Sequence, residues 1–396
     1  MINITRKEDC CGCGACYDAC SKKAILWEAD DEGFSYPRVD TSLCINCGLC
    51  NKVCPIENSE QIVKNNERFT PIVFAAYHKD ENVRFTSTSG GAFWGLAEKW
   101  IREGGYVAGA VWSEHFKVAG FIAENFEQLE KIKGSKYVQA DYRGLYRDIN
   151  KLLINGEKVL ATGLPCQMAA LRQYLRKDYD NLLIVDLICH SVTSPLAFDK
   201  YVEWLEKRNH SKLISYHPKN KEYGGWHKFA FKATFKNGKT YVRNNMDDPF
   251  TEVFVGYNNI LCRYSCYECH YKNFPQPSDI TIGDFWGIEK IDPDFDSPKG
   301  VSKVIINNAK GLSYFRSLDC FETREYDAEA AVYNNPRSAS MIRSVTRCDQ
   351  NKRAQFVQAI KERDFEKCVN HYLRPSKSFI QMIKSIVKRI KRIIKG

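Results

Sequence analysis

The chain has 396 residues, 44% of them hydrophobic and 27% charged, with a formal net charge of +10 at pH 7 and 17 cysteines. That length accommodates two or three domains with cores of their own, and no apolar stretch is long enough to span a bilayer. The charge does not describe a nucleic-acid binder, because +7 of the +10 falls in residues 376–396, and a secreted disulfide scaffold is excluded by cysteines at metal-cluster spacing, whose thiolates must stay reduced.

In chain order, the first element is a duplicated cysteine run. Cys10, Cys13, Cys16 and Cys20, then Cys44, Cys47, Cys50 and Cys54, each follow C-x2-C-x2-C-x3-C. Three thiolates within seven residues wrap three corners of a cubane, and the fourth reaches the other cluster. The crossed assignment follows: Cys10, Cys13, Cys16 and Cys54 hold one 4Fe-4S cluster, and Cys44, Cys47, Cys50 and Cys20 the second. Zinc sites are the alternative, but they favour isolated C-x2-C pairs separated by a longer loop. Pro55 follows Cys54 as the pattern asks, Ser21 replaces the first proline, and Cys11 is a spare thiol. Because the run begins within ten residues of the start, no signal peptide is expected and the cytoplasm is the expected compartment.

Residues 57–70 are polar and read as a linker. Strands are then predicted at Val73 to His78, Tyr106 to Trp112, Phe121 to Glu124, Lys158 to Thr162, Leu182 to Ile188 and Asp279 to Gly283, the last of these preceding Val301 to Asn307 and further helical segments. Helices are predicted at Gly91 to Arg102, Phe126 to Lys133, Arg143 to Asn155 and Cys166 to Leu175. The alternation predicts an α/β fold with helices covering a sheet. A hairpin, Phe229 to Phe235 and Lys239 to Arg243 about an Asn237-Gly238 turn, is inserted into it.

Several segments carry chemistry. Ser89, Gly90 and Gly91 join a strand to a helix, where small residues let backbone amides approach a phosphate; an ordinary tight turn has the same composition. Ser135, Lys136 and Tyr137 offer a cation and an aromatic edge in what is otherwise a solvated loop. Cys166 stands at a helix start, where thiolate is favoured, and Cys189 ends an apolar strand ahead of His190. Taken singly, each reads as a buried structural cysteine more readily than as a ligand. With Cys262, Cys266 and Cys269 nearby in sequence, a third cluster drawing four thiolates from these five is expected. The C-x3-C-x2-C spacing also occurs in radical enzymes using S-adenosylmethionine, but Glu268 occupies the aromatic position before the last cysteine, and too little chain follows for the barrel.

The tail closes the chain. Phe379, Ile380, Met382, Ile383, Ile386, Val387, Ile390, Ile393 and Ile394 share one helical face, and Lys377, Lys384, Lys388, Arg389, Lys391, Arg392 and Lys395 supply a charge that no acid opposes. A cationic amphipathic helix of this kind suits an anionic membrane surface or an acidic partner.

Taken together, Ser89-Gly90-Gly91, Gly134-Ser135-Lys136-Tyr137, Leu164-Pro165-Cys166-Gln167, Ile188-Cys189-His190, Cys266-Tyr267-Glu268-Cys269 and Asp279 to Gly287 (DITIGDFWG) resemble the β-subunit family of coenzyme F420 hydrogenases and dehydrogenases. The resemblance covers residues 70 to 345. It implies FAD held near Ser89, Gly90, Gly91, Ser135, Lys136, Tyr137 and Gly283. It also implies a third 4Fe-4S cluster on Cys166, Cys189, Cys266 and Cys269, leaving Cys262 out. The expected architecture is a small ferredoxin-like α+β two-cluster domain at 1–60 fused to an α/β flavin-binding domain in two parts, 70–150 and 151–345. A helical extension at 346–375 and the C-terminal amphipathic helix at 376–396 follow.

The expected function is an iron-sulfur flavoprotein oxidoreductase. Electrons move between the clusters and FAD, which converts one-electron into two-electron chemistry, to reduce or oxidise an organic substrate or deazaflavin. The redox partner is a protein or a small-molecule acceptor. His190, Lys136 and Asp284 are candidate proton donors beside the flavin. Absence of a G-x-G-x-x-G fingerprint argues against direct use of a nicotinamide. Two other readings stand: an electron-relay subunit without a substrate site, and a reductase on the inner face of the membrane acting in surface-polysaccharide metabolism.

Overall fold

The computed structural model describes residues 1–63, 69–254 and 259–374. The basic tail lies outside them, as do residues 64–68 of the linker, whose beginning forms the short helix Ser59–Val63.

The N-terminal module carries one hairpin, β1 (Ile25–Ala29) paired with β2 (Ser35–Val39), and two short helices, Ala15–Ala19 and Leu49–Lys52, each beginning inside a cysteine run. Behind it the chain builds β3 (Ile72–His78), β4 (Tyr106–Trp112), β5 (Val118–Ala123), β6 (Val159–Gly163) and β7 (Leu182–Leu187). There follow β8 (Leu213–Asn220), β9 (Ala230–Phe235), β10 (Thr240–Asn244), β11 (Ile280–Asp284), β12 (Ser302–Ile306) and β13 (Phe321–Tyr326).

Eight of these strands form one sheet in the order β13-β3-β12-β11-β7-β6-β4-β5. Its centre, β11-β7-β6-β4, is parallel, and both flanks are antiparallel. Parallel strands need helical crossovers, so both faces are covered and the strands read as apolar runs; every residue of β6 is buried. Leu96, Trp100, Leu129 and Phe315 pack one face, and Tyr146, Ile149, Met168 and Leu171 the other. The strands come from both 70–150 and 151–345, so those two parts share a single sheet.

The expected hairpin is β9-β10, and a third strand, β8, extends it to a separate three-stranded antiparallel sheet. Pro218 and its polar neighbours conceal β8 in the sequence, because proline cannot donate to a ladder. The register slips between His217 and Asn220, which takes Pro218 out of the pairing. In the helical extension, Gln350–Glu362 and Phe365–Tyr372 bury Phe356, Ile360, Phe365 and Val369 in the same core as the helix Pro195–Asn209.

Buried polar contacts join the N-terminal module to the body. The Asp18 carboxylate accepts from the amides of Gly144 at 2.6 Å and Tyr146 at 3.1 Å, capping the helix Leu145–Ile154 from outside it. Arg353, 1% exposed, grips the Glu32 carboxylate with two nitrogens and donates a third bond to the Tyr267 hydroxyl at 2.9 Å. Such planar two-point pairing is what the arginine fork favours.

Candidate metal centre

The two cysteine runs differ in environment. Cys10, Cys13, Cys16 and Cys54 are buried, whereas Cys20, Cys44 and Cys50 are half-buried and Cys47 is exposed. Burial pushes the Cys16 thiol up, and its neighbours Cys10 and Cys54 add to that. In the outer set the sulfurs of Cys20, Cys44 and Cys50 accept the amides of Ala24 at 3.3 Å, Asn46 at 3.4 Å and Ile2 at 3.1 Å.

A third group of thiols meets in a cavity where the N-terminal module touches the body. Cys166 follows β6 in the first turn of the helix Pro165–Leu175, and Cys189 follows β7. These strands are parallel neighbours, so both cysteines emerge at the carboxyl edge of the sheet, where open α/β sheets place their ligands. Cys266 closes the 3-10 turn Tyr264–Cys266 and Cys269 lies just beyond it. All four line the cavity together with Cys11, the thiol that had no role in the sequence. Cys262 does not line it: fully buried, it is hydrogen bonded to the Ser191 hydroxyl at 3.0 Å.

The donor set fits an iron cluster. Burial pushes the thiols of Cys189, Cys266 and Cys269 up, that of Cys189 to about 11. Hydrogen bonding to Cys11, followed by burial, raises Cys166. Buried thiols at this density hold their protons unless a cation supplies counter-charge, and a four-iron cluster does so. The Lys272 ammonium stands at the rim, donating to the carbonyls of Cys189 at 2.5 Å and Ser340 at 2.7 Å.

The other sequence-predicted residues fall in two places. His190 lines the thiol cavity, its ring nitrogens 3.0 Å from Asn259 Oδ1 and 3.2 Å from Ser340 Oγ, and burial lowers its pKa. The rest gather near a basic basin. The Lys136 amine caps the end of the helix Phe126–Ile132 through the carbonyls of Lys131, Ile132 and Lys133, and burial brings it down to about 7. Tyr137 packs on Phe254 with ring centroids 4.2 Å apart, and burial pushes its phenol up. Asp284 is doubly engaged, accepting from Lys219 at 2.5 Å and from Trp226 Nε1 at 2.7 Å.

The glycine-rich segment is tightly packed. Ser89 Oγ donates to the Val301 carbonyl at 2.8 Å. A Cβ on Gly90 would lie 2.4 Å from the Ala76 oxygen, and one on Gly283 2.9 Å from Ile188 Cβ; Gly91 has φ +95°. Lys221, buried beside them, donates to the carbonyls of Arg84, Ser89 and Lys299 at 2.6–2.7 Å, and burial, reinforced by Lys219, lowers it to about 7. Lys219, missed in the sequence, is itself raised: burial opposes its charge, but Asp284 and Tyr137 more than offset that.

One further cluster of ligand-type side chains is satisfied without a metal. His78 Nδ1 accepts the Asp80 amide at 3.1 Å, so its proton resides on Nε2, which points to Glu98 at 2.9 Å beside Cys320.

Residues 9–58 match the family described as 4Fe-4S dicluster domain. Residues 156–329, which span β6 to β13 and carry Cys166, Cys189, Cys266 and Cys269, match the family of the C terminus of the coenzyme F420 hydrogenase/dehydrogenase beta subunit. The chain thus carries a segment similar to the C terminus of that beta subunit behind a 4Fe-4S dicluster domain. Among curated relatives of this chain, an uncharacterized ferredoxin of Methanocaldococcus jannaschii is 42% identical over 52 residues, 13% of this chain and 66% of its own length. The coenzyme F420-dependent sulfite reductase of the same organism is 28% identical over 167 residues, 41% of this chain and 25% of its own. The chain thus spans less than two thirds of either relative. A chain of the F420-reducing NiFe hydrogenase complex from Methanosarcina barkeri aligns with a TM-score of 0.43 at 19% identity, over 64% of this chain and 81% of its own. Among the described residues no helix is long and apolar enough to cross a membrane.

Proposed function

We propose that this protein is an iron-sulfur flavoprotein oxidoreductase in which the N-terminal module feeds a third cluster and FAD. One observation carries the reading: thiols from separate loops of the body converge in a single cavity on the face that receives the N-terminal module. Cys166, Cys189, Cys266 and Cys269 would hold the third cluster, with Cys11 of the N-terminal module lining the same cavity. Bound clusters carry single electrons and a flavin exchanges them for pairs, so together they join one-electron carriers to two-electron substrates.

The chain's own residues define the direction of access. Cys47 is exposed at the outer end, so a protein donor or acceptor meets the outer set first. Lys133 donates to Thr86 and Lys221 to the carbonyls of Arg84 and Ser89, with Lys219 and the Arg84 side chain close by, and this concentration of cations supports binding of the pyrophosphate of FAD near Ser89–Gly91. Asp284, Lys136 and both ring nitrogens of His190 are already hydrogen bonded, so we assign all three to positioning, His190 at the thiol cavity. The substrate is an organic acceptor or deazaflavin. The basic tail supports attachment to anionic membrane, and its deletion should release the protein from anionic vesicles; unchanged partitioning refutes that attachment.

Iron, sulfide and flavin counts on anaerobically purified protein test the proposal. Three clusters predict about twelve irons per chain, and Cys166→Ala or Cys266→Ala should leave about eight. Twelve irons surviving in either variant, or protein without flavin, would refute it. If dithionite reduces the flavin but no small molecule reoxidises it without a partner protein, the chain is a relay subunit instead.

A further inference from the structure

Arg263 is 0% exposed, and the hydrogen-bond partners of its guanidinium are unusual for a buried cation. Nε donates to the Cys10 carbonyl at 2.7 Å, Nη1 to Gln139 Oε1 at 2.8 Å, and Nη2 to the Ser35 carbonyl at 3.0 Å and the Cys10 sulfur at 3.4 Å. Its flat face lies on the Tyr36 ring, 4.3 Å from the centroid. None of these acceptors is a carboxylate, and among the described residues Arg263 forms no salt bridge. The cysteine loop is moulded around it. A Cβ at Gly12 would stand 2.8 Å from the guanidinium carbon, and Gly12 has φ +71°.

Withdrawing a guanidinium from water costs several kcal/mol unless a nearby anion compensates. Here the anions in reach are the thiolates of the N-terminal module, Cys10 foremost, with Cys11 behind it. A cation hydrogen bonded to a ligand sulfur stabilises negative charge on that cluster, and an added electron is negative charge. The outer cysteines receive only amide hydrogen bonds, from Ile2, Ala24 and Asn46.

We propose that Arg263 raises the reduction potential of the cluster held by Cys10, Cys13, Cys16 and Cys54 above that of its outer neighbour, biasing the electron toward the body of the protein. The proposal rests on the dicluster assignment of residues 9–58. The couple concerned is the gain of one electron by the inner cluster from the outer one, with no bond made or broken and no proton moved. Arg263 is a positioning residue, and it acts through its charge and its hydrogen bond to the Cys10 sulfur.

The test is a dithionite titration of anaerobic holoprotein read by EPR, with the inner signal identified as the one lost in Cys16→Ala. In Arg263→Gln the reduction equilibrium constant of the inner cluster should fall at least about tenfold, which is 59 mV for a one-electron couple, while the outer signal stays in place. Arg263→Lys, which keeps the charge but not the fork, should fall less. An unchanged inner potential in Arg263→Gln at wild-type iron content overturns the proposal. Should that variant lose iron, Gln139→Glu places a carboxylate against Nη1 with Arg263 retained. Its inner potential should also drop, and no drop at full iron content overturns the proposal. Wild-type protein with fewer than about eight irons would remove the dicluster assignment itself, a failure distinct from a misplaced potential.

Discussion

The inner and outer halves of the N-terminal module are written in the same cysteine spacing, and the fold treats them differently. On the inner side Cys10, Cys13, Cys16 and Cys54 are buried, with Arg263, Gln139 and Tyr146 of the body closing over them. On the outer side Cys47 is exposed, and Leu43 and Ile45, 51% and 61% exposed among the described residues, stand beside it. A cluster's potential follows its hydrogen bonds and its exposure. Ligand loops of one spacing therefore come to sit in unlike surroundings when only one of them is docked against the body.

Breaking the clamp tests this contrast hardest. Arg353→Met leaves the Glu32 carboxylate buried without its partner and should cost about 3–5 kcal/mol in denaturant unfolding; a loss below about 1 kcal/mol would mean that the module is not held by this pair. Asp18→Ala removes the carboxylate that caps Leu145–Ile154 across the junction. An expected loss of about 1–3 kcal/mol, measured by thermal melting, would leave the outer set unaffected. Ile45→Ser should change stability by no more than about 0.5 kcal/mol, because the side chain is already in water. Ile45→Ser should also slow electron exchange with a protein donor if that rim is where one docks, and an unaltered rate would place docking elsewhere.

Legibility followed sequence distance. The C-x2-C-x2-C runs are local, and their ligand geometry is set within seven residues, so the eight N-terminal cysteines could be read directly. The parallel centre of the sheet was legible too, since strands buried on both faces leave apolar runs such as Val159–Gly163. Strand β8 was hidden by Pro218, and β13 by a strand, Phe321–Tyr326, exposed along most of its length. Cys11 had no periodic signal: it neighbours a ligand in sequence, and only the fold brings it to the lining of the cavity. Arg263 was equally silent, for its acceptors lie 124 and 253 residues away.

By itself the sequence determined that this protein carries paired iron-sulfur ligand loops ahead of an α/β body, because spacing and hydrophobic period are short-range properties that the backbone alone enforces. Which thiols meet was decided by tertiary structure. The parallel pairing of β6 and β7 brings Cys166 and Cys189 to one edge of the sheet, and the fold turns Cys262 away to Ser191. The same folding buries one cysteine set against an arginine and leaves the other in water, because burial and electrostatic surroundings belong to the assembled molecule and to no segment of it.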